Sequence, residues 1–182
     1  MDTGALAYRS FLAGDEASLA ELLRLYREPL VLFINGIVNN IFDAEDIAQD
    51  VFVMLYVKRP AYKAEAGFKT WLYAVARNKA IDFLRKKKRE NAFTAEENLA
   101  EEALVEDACA AMDRRRELKR LMDGLSPACR EVLYLTYFEG LSNKQTAKVM
   151  HKSVHAVETL NSRARAALRT RMEQEGYTDE TL

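Results

Sequence analysis

The chain has 182 residues, of which 49% are hydrophobic and 30% are charged, so it can hold one medium domain or two small ones. Only three prolines and seven glycines occur. Ala, Leu, Glu, Lys and Arg are abundant, and this composition predicts an all-α protein without a sheet. The formal net charge is −1, but a balanced total does not exclude a nucleic-acid partner when the charges are segregated along the chain.

The apolar runs, such as Leu30–Ile34, fall far short of the length needed to cross a bilayer, and no apolar segment follows a basic start. We therefore expect a cytoplasmic protein with no membrane insertion. Cys109 and Cys129 form no CxxC pair and lack the spacing of a metal site or a disulfide framework. Both are predicted to be reduced thiols.

The N-terminal elements are predicted to be scaffold. Ala5–Ala13 should form a short helix that Gly14 ends, and Asp15 is a candidate cap for a longer helix. Pro29 is expected to interrupt or bend that longer helix. The apolar pattern then continues from Leu30 toward Asn39.

The next helix is predicted to begin at Asp43, a candidate N-cap residue with Asp46 three positions on. A regular apolar stripe predicts its buried face, which contains Ala44, Ile47, Ala48, Val51, Phe52 and Leu55. Acidic, amide and apolar side chains recur on the other face, at Asp46, Gln49, Asp50 and Val53. A solvated helix face and a docking face for a partner helix explain this pattern equally well.

Pro60 should end that helix, with Ala61–Gly67 as a loop before a helix that starts at Phe68. Apolar residues at helical spacing predict a buried face for the new helix: Phe68, Trp71, Leu72, Val75 and Ala76. The stretch from Phe68 to Glu90 has eight Lys or Arg residues against two acids, and five successive cations form Arg85–Arg89. A core helix with a solvated basic tail is one interpretation, and a helix that contacts a nucleic-acid backbone while presenting rings to bases is the other.

Residues 91–112 contain six acids and no Lys or Arg, which predicts an extended or weakly helical linker. A second domain should follow from Asp113 to Gly176, with residues 177–182 as a tail. Its first short helix should contain Leu118, Leu121 and Met122 and end at Gly124. Further helices should start at Ser126-Pro127 and at the caps Ser142 and Ser153, and Gly140 should end the first of these.

The last two helices are separated by three residues and fit a helix-turn-helix. Ala147 is small where the helices should cross, Val157 is apolar ten residues later, and His151 occupies the turn, where the left-handed backbone would suit glycine better. Seven Lys or Arg residues and one acid lie between Lys144 and Arg171. In DNA-binding geometry the start of the second helix would face base edges with His155, Glu158, Thr159 and Ser162. Arg163 and Arg165 are better placed to contact phosphates, although Arg163 could reach a base. A helical hairpin with a solvated basic face is the alternative.

Taken together, four segments resemble the RNA polymerase sigma-70 family, in its small extracytoplasmic-function (ECF) group. They are DAEDIAQDVFVMLY, FKTWLYAVARNKAIDFLRKKKR, LSPACREVLYLTYFEGLSNKQTAKVM and VETLNSRARAALR. The resemblance covers residues 5–60, 68–90 and 113–173. It implies two helical domains, sigma domain 2 in residues 1–90 and sigma domain 4 in residues 113–176, joined by the acidic linker, and a bacterial initiation factor that binds polymerase core and recognises −10 and −35 promoter elements.

The resemblance also implies site residues. Asp46, Gln49, Asp50 and Val53 correspond to the surface that binds the beta-prime clamp helices. The −10 DNA would contact Lys69, Trp71, Tyr73, Arg77, Asn78, Lys79, Arg85, Lys86, Lys87 and Lys88, with Asn78 near a flipped base and Ala61–Gly67 helping to form its pocket. The −35 DNA would contact Lys144, Lys152, Ser153, His155, Glu158, Thr159, Ser162, Arg163 and Arg165. Domain 4 would also bind the beta flap, and an anti-sigma factor is an expected partner.

Three residues depart from the family pattern. His151 replaces the usual turn glycine, and Glu158 with Leu160 makes the recognition helix less basic than in many members. The main rival interpretation is a helix-turn-helix regulator that acts without polymerase core, and a pull-down with core separates the two. An enzyme finds little support, because the sequence has no glycine-rich phosphate loop, no nucleophile elbow and two histidines. We expect no catalytic residue, metal or cofactor.

Overall fold

The computed structural model describes residues 2–61, 67–93, 121–122, 124–174 and 176. Within these ranges every regular element is a helix and none is a strand, as the composition predicts. The chain divides into two compact units. We describe the N-terminal unit and the C-terminal unit separately.

Four helices build the N-terminal unit: α1 (Thr3–Leu12), α2 (Ala17–Val38), α3 (Ile41–Lys58) and α4 (Phe68–Phe93). Helix α2 packs against the other three, and α4 also packs against α1 and α3. Large side chains from all four helices are fully buried between them, among them Phe11, Leu22, Leu30, Leu55 and Leu72. A shared interior of this kind is what holds the outer faces of α3 and α4 in place.

In the C-terminal unit, α5 (Pro127–Leu133) continues directly into a π-helical turn (Tyr134–Phe138). Helices α6 (Asn143–Met150) and α7 (Val154–Gln174) follow, and α5 packs against α7. The predicted start signals are confirmed. The Ser126 hydroxyl accepts a hydrogen bond from the Cys129 N–H at 3.4 Å, with Pro127 at the first helical position.

Pro29 does not interrupt α2, which is continuous from Ala17 to Val38. A proline inside a helix removes a backbone donor and crowds the preceding turn, at a cost of about 3 kcal/mol. Here Leu22 and Tyr26 before it and Leu30 after it are buried on one side of the helix. Burial of such side chains stabilises by about 1.5–3 kcal/mol each, so it offsets the penalty.

The predicted N-cap of α3 is wrong. Helix α3 begins at Ile41, and its N-cap is Asn40, whose side-chain oxygen accepts hydrogen bonds from the N–H groups of Phe42 and Asp43, both at 3.0 Å. Asn39 ends α2 in the left-handed conformation that asparagine tolerates. The turn between α2 and α3 therefore occupies only two residues. Asp43 does not cap α3 but lies in its first turn.

Several expectations concern residues outside the described ranges: most of the 91–112 linker, the Ala61–Gly67 loop apart from its two ends, the helix around Leu118, Cys109 and the 177–182 tail. Among the residues that the structure does describe, no helix is long and apolar enough to cross a membrane.

Candidate functional site

A groove runs between α2 and α3 in the N-terminal unit. Its volume is about 430 Å³, and it is lined by Leu19, Leu23, Arg27, Glu45, Asp46, Gln49, Phe52, Val53 and Tyr56. Three of the four residues that the sequence assigns to a docking surface, Asp46, Gln49 and Val53, belong to this lining. The α3 face is therefore one wall of a groove with an apolar floor. Its rim carries Asp46 and Glu45, and the Arg27 guanidinium lies 4.0 Å from the carboxylate of Glu45.

The exposed face of α3 is more apolar than the sequence analysis recognised. Val53 is 49% exposed, Tyr56 47% and Val57 69%. These three follow the exposed carboxylates of Asp46 and Asp50 along the helix, one to two turns after Asp50. Tyr56 and Val57 were missed because they fall just outside the acidic repeat, although their helical spacing from Val53 could have indicated them.

Helix α4 presents one continuous outer face. Trp71, Asn78 and Arg85 recur every seven residues, which is about two helical turns, so they line one side of the helix over about 21 Å. Asn78 and Arg85 are exposed and Trp71 is half-buried, and Lys88 extends the same side. This side points away from the buried residues Leu72, Ala76 and Ala80.

Two of the predicted DNA-contacting lysines instead face α3. The Lys79 ammonium lies 3.5 Å from the carboxylate of Asp50, and the Lys87 ammonium donates a hydrogen bond to Asp43 at 2.9 Å. The structure therefore splits the basic run. Arg85 and Lys88 lie on the outer side, where Arg85 forms an exposed ion pair with Asp82 of the same helix at 3.4 Å, whereas Lys87 has a carboxylate partner on α3.

The remaining α4 residues fall into three environments. Tyr73 is fully buried with its ring 5.1 Å from that of Phe33, so its placement on a DNA-contacting surface is corrected to a core position. Lys69 and Arg77 are half-buried. Lys86 is exposed and lies 3.8 Å from the carboxylate of Glu90 one turn on.

Tyr73 is buried because α4 packs against three other helices, which makes its buried arc wide. The sequence stripe that ran through Phe68, Trp71 and Val75 covered one edge of that arc and missed the other.

In the C-terminal unit, α6 and α7 form the predicted helix-turn-helix. Ser142 and Gln145 make a capping box at the start of α6, and the Ser153 hydroxyl accepts a hydrogen bond from the Ala156 N–H at 3.1 Å at the start of α7. His151 lies in the turn with φ 52° and ψ 46°, the left-handed conformation expected there. The Asn161 side chain donates to the Asn143 side chain at 3.4 Å and so links the two helices.

The predicted −35 residues lie together on the outer side of this motif. His155, Glu158, Ser162, Arg163 and Arg165 are exposed on α7, whereas Val157 and Ala164 are buried on its opposite side. Lys144, Lys152 and Ser153 are exposed on α6 and in the turn, and Thr159 is half-buried. The Thr159 hydroxyl donates to the His155 carbonyl at 3.0 Å, which holds it against its own helix.

An aromatic pair was missed by the sequence analysis. Tyr134 and Phe138 stack with ring centroids 5.2 Å apart across the π-helical turn, and Tyr137 beside them is 59% exposed. The wider turn is stabilised by the Glu139 N–H, which donates to the Tyr134 carbonyl five residues back. The result is an exposed aromatic patch at the end of α5.

No group of three or more His, Cys, Asp or Glu side chains that could hold a metal ion occurs among the described residues. Cys129 is a free thiol of intermediate exposure. The described surfaces are suited to binding: two carry exposed cationic and polar side chains, and two carry exposed apolar groups.

Comparisons with known proteins agree for both units. The family model for sigma-70 region 2 matches residues 22–90, and the model for sigma-70 region 4 matches residues 115–168. The RNA polymerase sigma factor SigZ of Bacillus subtilis is 30% identical over 165 residues, which cover 86% of this chain and 88% of that protein. The ECF RNA polymerase sigma factor SigW of the same organism is 29% identical over 170 residues, with coverage of 87% and 91%.

Two solved structures share the fold. One is the sigma factor RpoE of Bartonella quintana in complex with the anti-sigma factor NepR, with a TM-score of 0.73 and 23% identity, covering 85% of this chain and 96% of that one. The other is CnrH in complex with the cytosolic domain of CnrY, with a TM-score of 0.68 and 22% identity, covering 96% and 100%. At these identities the likeness concerns the fold.

Proposed function

Because the chain belongs to the ECF group of the RNA polymerase sigma-70 family, whose members bind polymerase core and direct it to promoters, we propose how its surfaces divide that task. The groove between α2 and α3 binds core, the outer face of α4 reads and opens the −10 element, and α7 reads the −35 element. The protein performs no chemistry itself.

The core-binding assignment is supported by the composition of the groove. A partner helix that lays apolar side chains along Val53 and Tyr56 buries their exposed area, and each buried methylene contributes about 0.8 kcal/mol. A cationic residue on the same partner helix then meets Asp46 on the rim, which fixes its register, while Glu45 pairs with Arg27 of α2. The beta-prime clamp helices are the proposed partner.

The −10 assignment is supported by the order of groups along α4. Trp71 and Asn78 come first, where a ring and an amide can contact an unstacked base, and Arg85 and Lys88 follow on the same side, where they can neutralise phosphates. Unstacking a base costs a few kcal/mol, which contacts of these two kinds offset. Lys79 and Lys87 contribute less to DNA in this proposal because they are half-buried and pair with Asp50 and Asp43 on α3. Arg85 pairs only with Asp82 on its own helix, and both side chains of that pair are exposed, so a phosphate can replace the carboxylate.

The −35 assignment is supported by the exposed side of α7. The helix N-terminus carries His155, Glu158 and Ser162, and polar side chains of this length reach base edges in the major groove. Arg163 and Arg165 lie further along and contact phosphates. The aromatic patch at Tyr137 and Phe138 is the proposed contact with the beta flap, since exposed aromatic side chains are favoured as anchors in interfaces.

An anti-sigma factor is the proposed regulatory partner. Both similar solved structures are complexes, one with the anti-sigma factor NepR and one with the cytosolic domain of CnrY. A partner that covered the α2–α3 groove would compete with polymerase core for the same residues. The proposal places the chain in the cytoplasm, where polymerase and promoter DNA are.

One observation carries the proposal: the acidic and apolar residues of α3 line a single groove, on a unit whose α4 presents an aromatic and basic side. A helix-turn-helix regulator acting without core would need neither surface. The test is a pull-down of purified polymerase core with the tagged full-length chain and with a variant that carries Val53→Glu and Tyr56→Glu. Retention of core by the wild type and its loss by the variant support the proposal, and failure of the wild type to retain core would favour the regulator.

A further inference from the structure

The first helix, α1, lies outside residues 22–90, which the region 2 family model matches, yet it makes contacts on both sides of the connection between α3 and α4. The Tyr8 hydroxyl donates a hydrogen bond to the carbonyl of Pro60 at 2.6 Å, just after α3 ends. The Asp2 carboxylate accepts a hydrogen bond from the N–H of Phe68 at 3.1 Å, at the first residue of α4. These bonds span 52 and 66 residues of sequence.

Asp2 serves two helices at once. Its Oδ1 accepts a hydrogen bond from the Ala5 N–H at 3.1 Å and caps α1, while its Oδ2 accepts the bond from Phe68. The first N–H groups of a helix have no partner within that helix, and the helix dipole favours a negative charge at this end. One carboxylate therefore satisfies the starts of both α1 and α4 and joins them.

The ring of Tyr8 also packs against the start of α4. It lies 4.9 Å from the ring of Phe68 and 5.8 Å from the ring of Trp71, measured between centroids, and it is fully buried. Burial raises the pKa of Tyr8 to about 12. Trp71 is the first residue of the outer α4 face, and α1 is what packs against its inner side.

Helix α1 is itself held closely. An added Cβ at Gly4 would collide with the Tyr26 ring, so α1 packs directly on this side chain of α2. A helix fixed in this way can transmit position rather than merely cover the core.

We propose that Asp2 and Tyr8 are positioning residues for −10 recognition, which they support by fixing the start of α4 and the end of α3 relative to each other. This inference rests on the proposed role of α4. It adds a contribution from two side chains of α1. The Phe11 ring of this helix lies 6.2 Å from the ring of Tyr56 in the groove, whereas the bonds of Asp2 and Tyr8 reach Phe68 and Pro60, outside the groove lining. Loss of either bond lets the Trp71 end of α4 shift while leaving the α2–α3 groove in place.

The test compares three variants in holoenzyme reconstituted with polymerase core. Asp2→Ala removes both bonds of the carboxylate. Asp2→Asn leaves a single acceptor oxygen, so one of the two bonds must break, although asparagine caps a helix as well as aspartate does. Tyr8→Phe removes only the hydroxyl, and Ser10→Ala, at an exposed position on the same helix, is the matched control.

Promoter opening is followed by 2-aminopurine fluorescence in the −10 element of a promoter fragment chosen from a mapped start site, and core affinity is measured in parallel. We expect Asp2→Ala and Asp2→Asn to reduce opening by about fivefold, the factor that corresponds to loss of one helix cap. Tyr8→Phe should reduce it severalfold. Core affinity should be unchanged, and discrimination against fragments with substituted −10 bases should fall.

Wild-type opening by Asp2→Asn together with a loss in Asp2→Ala would mean that only the cap of α1 matters, and would overturn the proposal. Equal losses of opening and core affinity would also overturn it, because α1 would then stabilise the unit as a whole. Asn78→Ala is measured beside these variants. If it reduces opening and the α1 variants do not, this inference alone fails; if it too has no effect, the proposed role of α4 fails.

Discussion

Reversal of the charge on Asp46 should weaken the binding of polymerase core without unfolding the protein. Asp46 lines the α2–α3 groove and is exposed. Within the part of the chain that the structure describes, its carboxylate makes no ion pair, whereas that of Asp50 lies 3.5 Å from Lys79. Asp46→Lys therefore alters the surface alone, and Asp50→Lys would also disturb the contact between α3 and α4.

The size of the effect follows from that exposure. An exposed ion pair contributes about 0.2–1 kcal/mol, and reversal replaces this attraction by a repulsion of similar size. The expected loss is about 0.4–2 kcal/mol, or about 2- to 30-fold in the Kd for core. The free energy of unfolding should change by less than about 0.5 kcal/mol, as for other surface substitutions.

The assay is fluorescence anisotropy of the labelled chain titrated with core, at about 0.1 M and about 0.5 M salt. The difference between variant and wild type should shrink at the higher salt, because exposed charges are screened. Asp46→Asn should show roughly half the loss. Glu173→Lys, an equal charge change at an exposed position of α7, is the matched control and should leave core affinity unaltered. Wild-type affinity of a folded Asp46→Lys variant at the lower salt would refute the docking assignment.

Three further predictions concern α4, the helix-turn-helix and α1. Combined Arg85→Glu and Lys88→Glu should lower promoter opening and reduce the slope of log affinity for DNA against log salt by about 2. Lys87→Glu should mainly reduce the stability of the protein, because the new carboxylate repels Asp43, which lies 2.9 Å from Lys87 in the wild type. Equal salt slopes for the two sets of variants would contradict the division of α4 into two sides. His151→Gly should raise the free energy of unfolding of the C-terminal unit by about 0.5–1 kcal/mol, because φ is 52° there and glycine adopts this conformation without strain. A lower melting temperature of the variant would show that contacts of the imidazole outweigh the strain. Burial raises the pKa of Tyr8 from 10.0 to about 12, so its neutral hydroxyl should contribute stability that is complete below pH 10 and is lost as the pH rises toward 12. The free energy of unfolding of Tyr8→Phe, measured with denaturant, should therefore depend less on pH over this interval. An equally steep loss of stability in the variant would contradict this prediction.

The parts of the fold that depend on neighbouring residues were predictable from the sequence. Ser142 and Ser153 bond to backbone groups three residues away, so the caps and the bounds of α6 and α7 follow from local chemistry. The left-handed backbone at His151 follows from the spacing of the same two helices. Local rules were misleading where two side chains competed, as when Asn40 rather than Asp43 capped α3.

The parts that depend on distant residues were not predictable. Lys87 reads as one of five successive cations, and only the packing of α3 against α4 brings Asp43 to it across 44 residues. The sequence alone indicates that Tyr73 is an aromatic side chain that could contact DNA. Only the three-dimensional structure shows that its ring packs against Phe33. The groove is lined by Leu19 and Leu23 of α2 together with residues of α3. The residue pattern within one helix cannot show that two helices line the same groove.

The most direct test of the account is transcription reconstituted on the genomic DNA of the source organism, with purified polymerase core alone and with this protein added, followed by mapping of transcript starts. The account predicts a new set of start sites that share one −10 and one −35 sequence and that disappear with the Val53→Glu and Tyr56→Glu variant. Start sites that are the same with and without the protein would contradict its role in promoter-specific initiation.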